Sequence, residues 1–448
     1  MTRAMARSLF VLACLIGLAA SATADNIFPY KTHETTLANG LKIVVVPFDS
    51  PGTVAFYIIV RTGSRDEVEP GHSGFAHFFE HMMFRGTPTY SADRYNAVLK
   101  AMGADANAFT TDDYTAYHIV GPARELRKMF EIEGDRFINL KYAEDAFKTE
   151  ALAVLGEYNK NATNPFRAMS EKLRDLAFDV HTYKHTTMGF LQDIKAMPGY
   201  YDYSLKFFDR YYRPENTIIL VVGDVQPQQV LDEAKTHFGA WKKGYRPPEL
   251  KAEPPQTAAK SARIPWTNPT RPYLLIGYRT PAFSTADTTF PTLDILSELL
   301  FSESAPLYQE LVVEKQWVDF ISGSAVDHRD PYLFTISARA KAEELLPKVK
   351  ETVGAAIAKL ASGAVDAERL QRVKSHLRYR FALRLDSPDA VASMLAHYLN
   401  LTGRVETVNE LYGQYEKVSA ADVQRVAREI FSSQNETTVT LAHAGQSP

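Results

Sequence analysis

The sequence predicts an α+β protein with two homologous halves, each a mixed β-sheet covered by helices. Two observations predict this fold class. Strands and helices recur in the same order in residues 25–244 and 263–448, and each half closes on a helix followed by an apolar strand. Between the halves, residues 245–262 are rich in Pro, Lys, Glu and Ala and poor in apolar residues, which is typical of a linker. The repeated order therefore indicates an internal duplication.

The first half opens on a predicted hairpin, because short alternating segments flank a turn at Asn39-Gly40. Strands are expected at 33–37, 42–47, 54–61, 105–120 and 217–222. Apolar residues at helical spacing predict helices at about 74–85, 91–102, 123–138, 144–160, 165–179, 199–212 and 226–238.

The second half repeats this order. Strands are expected near 271–279, 317–327 and 332–341, and helices at about 288–302, 306–316, 342–361, 366–384 and 386–401. The segment Tyr412–Ile430 is predicted to be helical and precedes the strand Glu436–Leu441. The helix at 199–212 precedes the strand at 217–222 in the same way, so the two halves end alike.

The composition is that of an ordinary globular protein. The chain has 448 residues, of which 45% are hydrophobic and 23% are charged, enough for two or three domains with a large core. The formal net charge is −3, and the sequence contains no basic run. We therefore expect neither a nucleic acid nor an anionic membrane surface as partner.

The first 24 residues are predicted to be a signal peptide. Arg3 and Arg7 precede an apolar run over Leu9–Ala20, and Ala22-Thr23-Ala24 is a small-residue cleavage site. The run is too short for a stable membrane anchor, and no later apolar segment is long enough to span a bilayer. Cleavage after Ala24 would remove Cys14, the single cysteine, so we expect a periplasmic or secreted protein without disulfides.

The segment His77–His81 (HFFEH) is the strongest indication of chemistry. On a helix, His77 and His81 lie one turn apart on the same face, so both imidazoles can reach one metal ion. Glu80 lies beside them, close enough to contact a metal-bound water without binding the metal. Zinc held by two imidazoles and one carboxylate keeps a position for water and lowers its pKa, and a nearby carboxylate can take the proton. The alternative is two structural histidines on a buried helix.

A site with two histidines needs a carboxylate from another element. The segment Asp145–Tyr158 has helical periodicity and places Glu150 and Glu157 on one face, two turns apart. Glutamates at this spacing also occur on ordinary solvated helix faces. The residues alone therefore leave both carboxylates open as ligands.

The segment Gly74–Thr87 resembles the zinc helix of the insulinase/pitrilysin-like metallopeptidases, the inverzincins with a His-x-x-Glu-His motif, which include the mitochondrial processing peptidases. This resemblance implies that His77, His81 and Glu157 bind zinc, because Glu157 stands at the family's spacing from the second histidine. It also implies that Glu80 is the catalytic base and that Glu150 supports the metal site and catalysis.

Further segments resemble the same family, including 37–45 and 61–67. Residues Gly103–Thr110 resemble the family segment whose edge strand receives the substrate backbone, which implies that Asn107 and Ala108 bind substrate. Without the resemblance, Asn107 is equally typical of a turn. The second half contains no second inverted motif, so one Zn²⁺ per chain is expected.

The second half departs from the family in one respect. Active members carry an Arg and a Tyr, seven residues apart, that contact the substrate and the tetrahedral intermediate. The matching positions here hold Val313 and Phe320, whose side chains donate no hydrogen bond. The resemblance, with short chains that pair into a clamshell, therefore implies a heterodimer with a paralogous chain that carries the Arg and Tyr. A homodimer is the second possibility.

The expected function is an exported zinc endopeptidase that hydrolyses peptides or unfolded protein segments. The alternative is a non-catalytic scaffold or assembly subunit of an insulinase-like complex. The ligand types favour zinc over manganese or cobalt. Four other histidines, at positions 72, 118, 181 and 185, are interpreted as structural or surface residues because the site is complete without them.

Overall fold

Two β-sheets, one in each half of the chain, organise the fold. The computed structural model describes residues 26–444, and the predicted signal peptide with its cleavage site lies outside them. The strands are β1 (His33–Thr36), β2 (Lys42–Pro47), β3 (Thr53–Val60), β4 (Asp105–Thr110), β5 (Thr115–Pro122), β6 (Thr217–Gly223), β7 (Lys260–Trp266), β8 (Tyr273–Thr280), β9 (Val318–Ala325), β10 (Tyr332–Ala340) and β11 (Glu436–His443).

The two sheets have the same topology. Their strand orders are β1-β2-β6-β3-β5-β4 and β7-β11-β8-β10-β9. In each sheet the first strand of the repeat pairs parallel with the last one, β2 with β6 and β7 with β11. All other neighbouring strands are antiparallel. Apart from the additional β1, the order of the first sheet is repeated in the second, so the mixed-sheet architecture with two similar halves is confirmed.

Helices cover both sheets. They are α1 (Phe75–Met82), α2 (Ala92–Met102), α3 (Leu126–Asn139), α4 (Glu144–Asn161), α5 (Pro165–Ala177), α6 (Leu191–Ala196), α7 (Tyr201–Tyr211), α8 (Pro227–Phe238), α9 (Thr289–Phe301), α10 (Pro306–Tyr308), α11 (Leu346–Ser362), α12 (Ala367–Ala382), α13 (Pro388–Thr402), α14 (Thr407–Lys417) and α15 (Ala420–Ile430). Helix α10 continues into a π-helical turn at Gln309–Glu314. The order α1 to α7 in the first half corresponds to α9 to α15 in the second.

Each half places one helix on the sheet of the other half. Helix α13 packs against β3 and β6 of the first sheet, and α5 packs against β7, β8 and β11 of the second. Val391, Leu395 and Leu399 of α13 share a buried cluster with Tyr57 and Leu220 of the first sheet. The opposite face of that sheet packs on the helices of its own half. Because both faces are covered, the central strands are continuous apolar runs.

Several predicted elements differ from the structure. The strand expected near 105–120 is a hairpin, β4 and β5, because Thr111 and Tyr114 close a turn between them. The helix expected over 412–430 is two helices, since the Ser419 side chain caps a new helix start. Strand β7 begins at Lys260, inside the predicted linker, and its alternating polar sequence and edge position hid it. The short helix α6 was also missed.

No helix among residues 26–444 is long and apolar enough to cross a membrane.

Candidate metal centre

Three side chains from two helices converge at one point. The Nε2 atoms of His77 and His81, both on α1, each lie 3.5 Å from the Oε2 atom of Glu157 on α4. Among residues 26–444, these three form the one group of His, Cys, Asp and Glu side chains whose donor atoms all lie within 4.8 Å of one another. The residues alone left Glu150 and Glu157 open and the resemblance implied Glu157, which the structure brings to the two imidazoles.

Helix α1 holds this geometry because its other face is buried. Phe75, Phe78, Phe79 and Met82 are fully buried in the core of the first half. The Phe79 ring stacks on Phe207 of α7 with a centroid distance of 5.3 Å. This packing sets the orientation of α1, whose remaining surface presents the two histidines to α4 and Glu80 to β4.

A second carboxylate orients His81. The Glu150 Oε1 atom lies 2.8 Å from Nδ1 of His81, so the Nδ1–H donates to the carboxylate and Nε2 is left as the metal-binding atom. The Arg85 guanidinium pairs with the other oxygen of Glu150. The hydrogen bond to Glu150 raises the pKa of His81 above its usual value. Burial opposes ionisation of Glu150, but His81 and Arg85 together hold the pKa of Glu150 below its usual value.

The donor set fits zinc. Burial, together with the nearby His81, lowers the pKa of His77 to about 4, so this imidazole is neutral at physiological pH and its Nε2 lone pair can bind a metal. Two imidazole nitrogens and one carboxylate oxygen are the ligands of catalytic zinc sites that keep a fourth position open. His77, His81 and Glu157 would hold the ion, and Glu150 would orient His81 from outside.

Glu80 lies on the same helix but outside the ligand group. Its Oε2 atom accepts a hydrogen bond of 2.6 Å from the Thr110 hydroxyl at the end of β4, and its carboxylate also accepts the Thr110 N–H. Burial raises the pKa of Glu80 above its usual value. Glu80 is thus a held carboxylate with raised proton affinity next to the metal ligands, as a general base requires.

Asn107 and Ala108 lie on β4, which is the edge strand of the first sheet and pairs only with β5. The Thr111 N–H donates to the Tyr114 carbonyl in the turn. Hydrogen-bonded and non-hydrogen-bonded residue pairs alternate from there along the antiparallel ladder, so the Ala108 N–H and carbonyl point away from β5 to the open edge. The Ala108 N–H is bonded to the Asn107 side-chain oxygen at 2.9 Å instead of to a strand. This open edge ends beside Glu80, where a peptide could add as a further strand.

An open cleft lies beside α4 and α5, and none of the three metal-binding candidates lines it. Tyr158 lines this cleft of about 720 Å³ together with Glu171 of α5 and residues 185, 186 and 189–192. The Tyr158 hydroxyl donates to Glu171 at 3.0 Å. The cleft is large enough for several side chains of an extended peptide.

Val313 and Phe320, at the positions where active family members are expected to carry an Arg and a Tyr, lie in the second half. Val313 lies in the π-helical turn and is 51% exposed. Phe320 lies on the edge strand β9, where its ring is covered by the Arg339 guanidinium at 5.6 Å. Neither side chain has a donor to offer.

Sequence reasoning missed two contacts at the centre. Thr110 binds the proposed base, and Arg85 binds Glu150. Thr110 and Arg85 both belong to segments that resemble the family, Gly103–Thr110 and Gly74–Thr87, which was the available signal. His72, His118, His181 and His185 lie outside the converging group. His118 stacks on Tyr57, and His181 binds Asp330.

Known protein families match most of the chain. Residues 44–190 match the family described as Insulinase (Peptidase family M16), and residues 201–377 match the family described as Peptidase M16 inactive domain. The chain is 30% identical to the zinc protease PqqE of Helicobacter pylori over 438 aligned residues. The alignment covers 95% of this chain and 96% of that protein.

Solved structures share the fold. A protease from Helicobacter pylori superposes with a TM-score of 0.87 at 29% identity, covering 92% of this chain and 99% of that one. The periplasmic protease PqqL from Escherichia coli superposes with a TM-score of 0.73 at 18% identity, which shows the fold alone. That match covers 93% of this chain but 49% of the longer one, so this chain corresponds to half of it.

Proposed function

The chain belongs to the insulinase family of peptidases, family M16, and on that premise we propose that it is a zinc-dependent endopeptidase acting on peptides or unfolded protein segments. One observation carries the proposal. Two imidazoles of α1 and the Glu157 carboxylate of α4 converge, while the Glu80 carboxylate, on the helix of the two imidazoles, stays outside this group. A structural zinc site would have no use for such a free carboxylate.

The mechanism assigns a task to each side chain. His77, His81 and Glu157 would hold zinc, which would supply Lewis-acid chemistry for the attacking water and the peptide carbonyl. Glu80 takes the proton from the attacking water and returns it to the leaving amine. Glu150 keeps His81 in the tautomer whose Nε2 faces the centre.

The open edge of β4 accounts for endopeptidase action. A peptide that adds to β4 is held by backbone hydrogen bonds, which depend little on its sequence. Only an extended segment can pair with a strand edge, so folded proteins would be poor substrates. Asn107 and Ala108 would contact the backbone close to the bond that is cleaved.

The test is hydrolysis by the purified chain of one protein in its unfolded and its folded form, with the zinc content measured in parallel. We expect about one zinc per chain, cleavage of the unfolded form within its sequence, and loss of cleavage on chelation with recovery when zinc is added back. Stoichiometric zinc without cleavage of any unfolded protein, with or without candidate partner chains, would contradict the proposal.

The second candidate is a non-catalytic scaffold subunit. Its support is the match of residues 201–377 to a family described as an inactive domain. The metal-centre residues, however, all fall in the region that matches the insulinase description. Zinc content discriminates the two, because a scaffold needs no stoichiometric zinc.

We further propose that the protein is exported and acts in a pair. The N-terminal sequence supports export to the periplasm or the medium. The absence of donors at Val313 and Phe320 supports pairing with a paralogous chain that supplies an Arg and a Tyr, and the match to half of a longer protease is consistent with two such units per working enzyme. A homodimer is the second possibility.

A further inference from the structure

Helix α1 has no cap of its own. It is only eight residues long, and Gly74, which precedes it, has a positive φ of 94° and no capping side chain. A Cβ atom on Gly74 would collide with the Ile194 side chain and lie 2.8 Å from the Met188 carbonyl oxygen. The close approach of this segment excludes any Ser, Thr or Asp at the N-cap. The free N–H groups of the first turn must therefore be satisfied from elsewhere.

Glu67 satisfies two of them. Its Oε2 atom accepts the Gly74 N–H and its Oε1 atom accepts the Ala76 N–H, each at 2.7 Å. The Glu67 side chain is completely buried, and burial raises its pKa well above the usual value. Burial of a carboxylate costs stability, which these two hydrogen bonds and the positive end of the helix dipole offset. Ala76 directly precedes the ligand His77.

The segment that carries Glu67 is itself anchored to both halves. The Arg65 guanidinium binds Asp330 of the second half at 2.5 Å, and the Arg65 N–H donates to the Asp112 carbonyl in the β4–β5 turn. The Tyr211 hydroxyl donates to the Asp66 carbonyl at 2.7 Å. Glu67 thus fixes the first turn of α1 relative to the β4–β5 turn, helix α7 and the second half of the chain.

We propose that Glu67 is a positioning residue of the metal centre: by holding the first turn of α1, it sets His77 against His81 and Glu157 and so determines zinc affinity. A helix of two turns is marginal by itself, so its first turn frays unless it is capped. His77 lies in that first turn, and its displacement opens the ligand group. The role rests on the proposed zinc site but not on peptide hydrolysis.

A purely structural cap would stabilise the protein without affecting the metal, so the test compares Glu67 with a matched carboxylate. Glu253 accepts the backbone N–H groups of Asp179, Val180 and His181, and its side chain is 3% exposed. The backbone it caps belongs neither to α1 nor to any of the three metal-binding candidates, and its other partner is Arg279. We would measure the zinc dissociation constant by chelator competition, and the Tm of the metal-free protein, for Glu67→Gln, Glu67→Ala and Glu253→Gln.

We expect Glu67→Ala to weaken zinc binding about 10–100-fold, the range found when a residue that orients a metal ligand is lost. Glu67→Gln keeps one acceptor oxygen and the side-chain volume, so about 3–10-fold weaker binding is expected from the partial loss. Glu253→Gln is expected to lower the Tm of the metal-free protein but to leave zinc affinity within about twofold of wild type.

Zinc affinity within about twofold of wild type in Glu67→Gln, with a Tm loss like that of Glu253→Gln, would overturn the proposal. This holds even if Glu67→Ala fails to fold. Equal weakening of zinc binding in Glu253→Gln would also overturn it, because the effect would then follow general destabilisation. If the wild-type chain binds zinc but hydrolyses nothing, alone or with candidate partner chains, the proposed function fails while the role of Glu67 is still decided.

Discussion

Glu80 and His81 are neighbours on one helix, yet their surroundings give them different chemistry. His81 donates from Nδ1 to Glu150 and directs Nε2 at Glu157, which leaves Nε2 placed to bind a metal ion. Glu80 turns to Thr110 instead, and burial raises its pKa towards the range in which a carboxylate can take and return a proton. The two side chains differ in chemistry because they leave α1 on different sides and contact different elements.

Glu80→Gln is expected to lower kcat by at least about 10²–10⁴-fold, because the amide cannot accept the proton. Zinc content should be unchanged, since Glu80 is outside the ligand group. Peptide hydrolysis and metal analysis on the same preparation provide the check. Normal turnover by this variant would refute the role of Glu80 as the base.

Glu150 and Glu157 are expected to respond differently to the same change. Glu157→Gln, like His77→Ala or His81→Ala, should lose the metal and the activity together. Glu150→Gln should lose most activity but keep zinc with about 10–100-fold weaker affinity, because it orients a ligand without being one. Titration with a zinc chelator measures both. Complete loss of zinc from Glu150→Gln would instead make it a ligand.

The sequence pointed to His77 and His81 as metal-binding candidates because they belong to a five-residue motif, whereas Glu150 and Glu157, on one helical face, were told apart only by the family resemblance. It could not predict Thr110, Arg85 or Glu67 as their supports. Thr110 reaches Glu80, and Arg85 reaches Glu150, only through the packing of α1 against β4 and α4. Glu67 reaches the first turn of α1 through the path of the preceding loop, which the sequence does not specify.

Strand β4 is the element that we expect to bind the substrate backbone. The Ala108 N–H points away from β5, so Ala108→Pro removes a donor at the open edge without removing a ladder bond. We expect kcat/KM for a peptide to fall about tenfold, the worth of one hydrogen bond, with zinc content unchanged.

Ala106→Pro is the matched control for this strand. Its N–H also faces the open edge but lies one repeat farther from Glu80, so a smaller loss is expected. Steady-state kinetics of both variants, with Tm measured to exclude unfolding, provide the comparison. An unchanged kcat/KM in Ala108→Pro would show that substrate does not pair with this edge.

Helices and strands with strong periodicity were predicted, and the misses have physical reasons. The run over 105–120 was predicted as one strand because the turn at Asp112-Asp113 carries no glycine or proline to mark it. Strand β7 alternates polar residues at an edge, so it resembles a linker. The exchange of α5 and α13 was not predictable, because an apolar helix face does not specify which of two similar sheets it will cover.

The exchange of helices makes the whole chain one folding unit. Residues 26–244 alone would leave one face of the first sheet, with Val44, Val46, Tyr57 and Ile59, uncovered by α13. We expect this fragment to aggregate or to bind a hydrophobic dye, and to become soluble when residues 245–444 are co-expressed. Size-exclusion chromatography provides the measurement. A soluble, monomeric fragment with a cooperative melting transition would contradict the expectation.

The last prediction concerns how many chains make the working enzyme. Val313 and Phe320 offer no hydrogen-bond donor where active relatives are expected to hold an Arg and a Tyr, and the loss of such donors typically costs several kcal/mol of transition-state stabilisation. The isolated chain should therefore bind zinc but hydrolyse peptides slowly.

A paralogous exported chain with the Arg and Tyr but without the His-x-x-Glu-His helix should restore the rate when mixed with this one. The control is the same mixture made with Glu80→Gln, which must stay inactive if this chain supplies the chemistry. Full activity of the isolated chain, unchanged by the partner, would exclude the heterodimer. The working enzyme would then be a monomer or a homodimer that stabilises the transition state with donors other than residues 313 and 320.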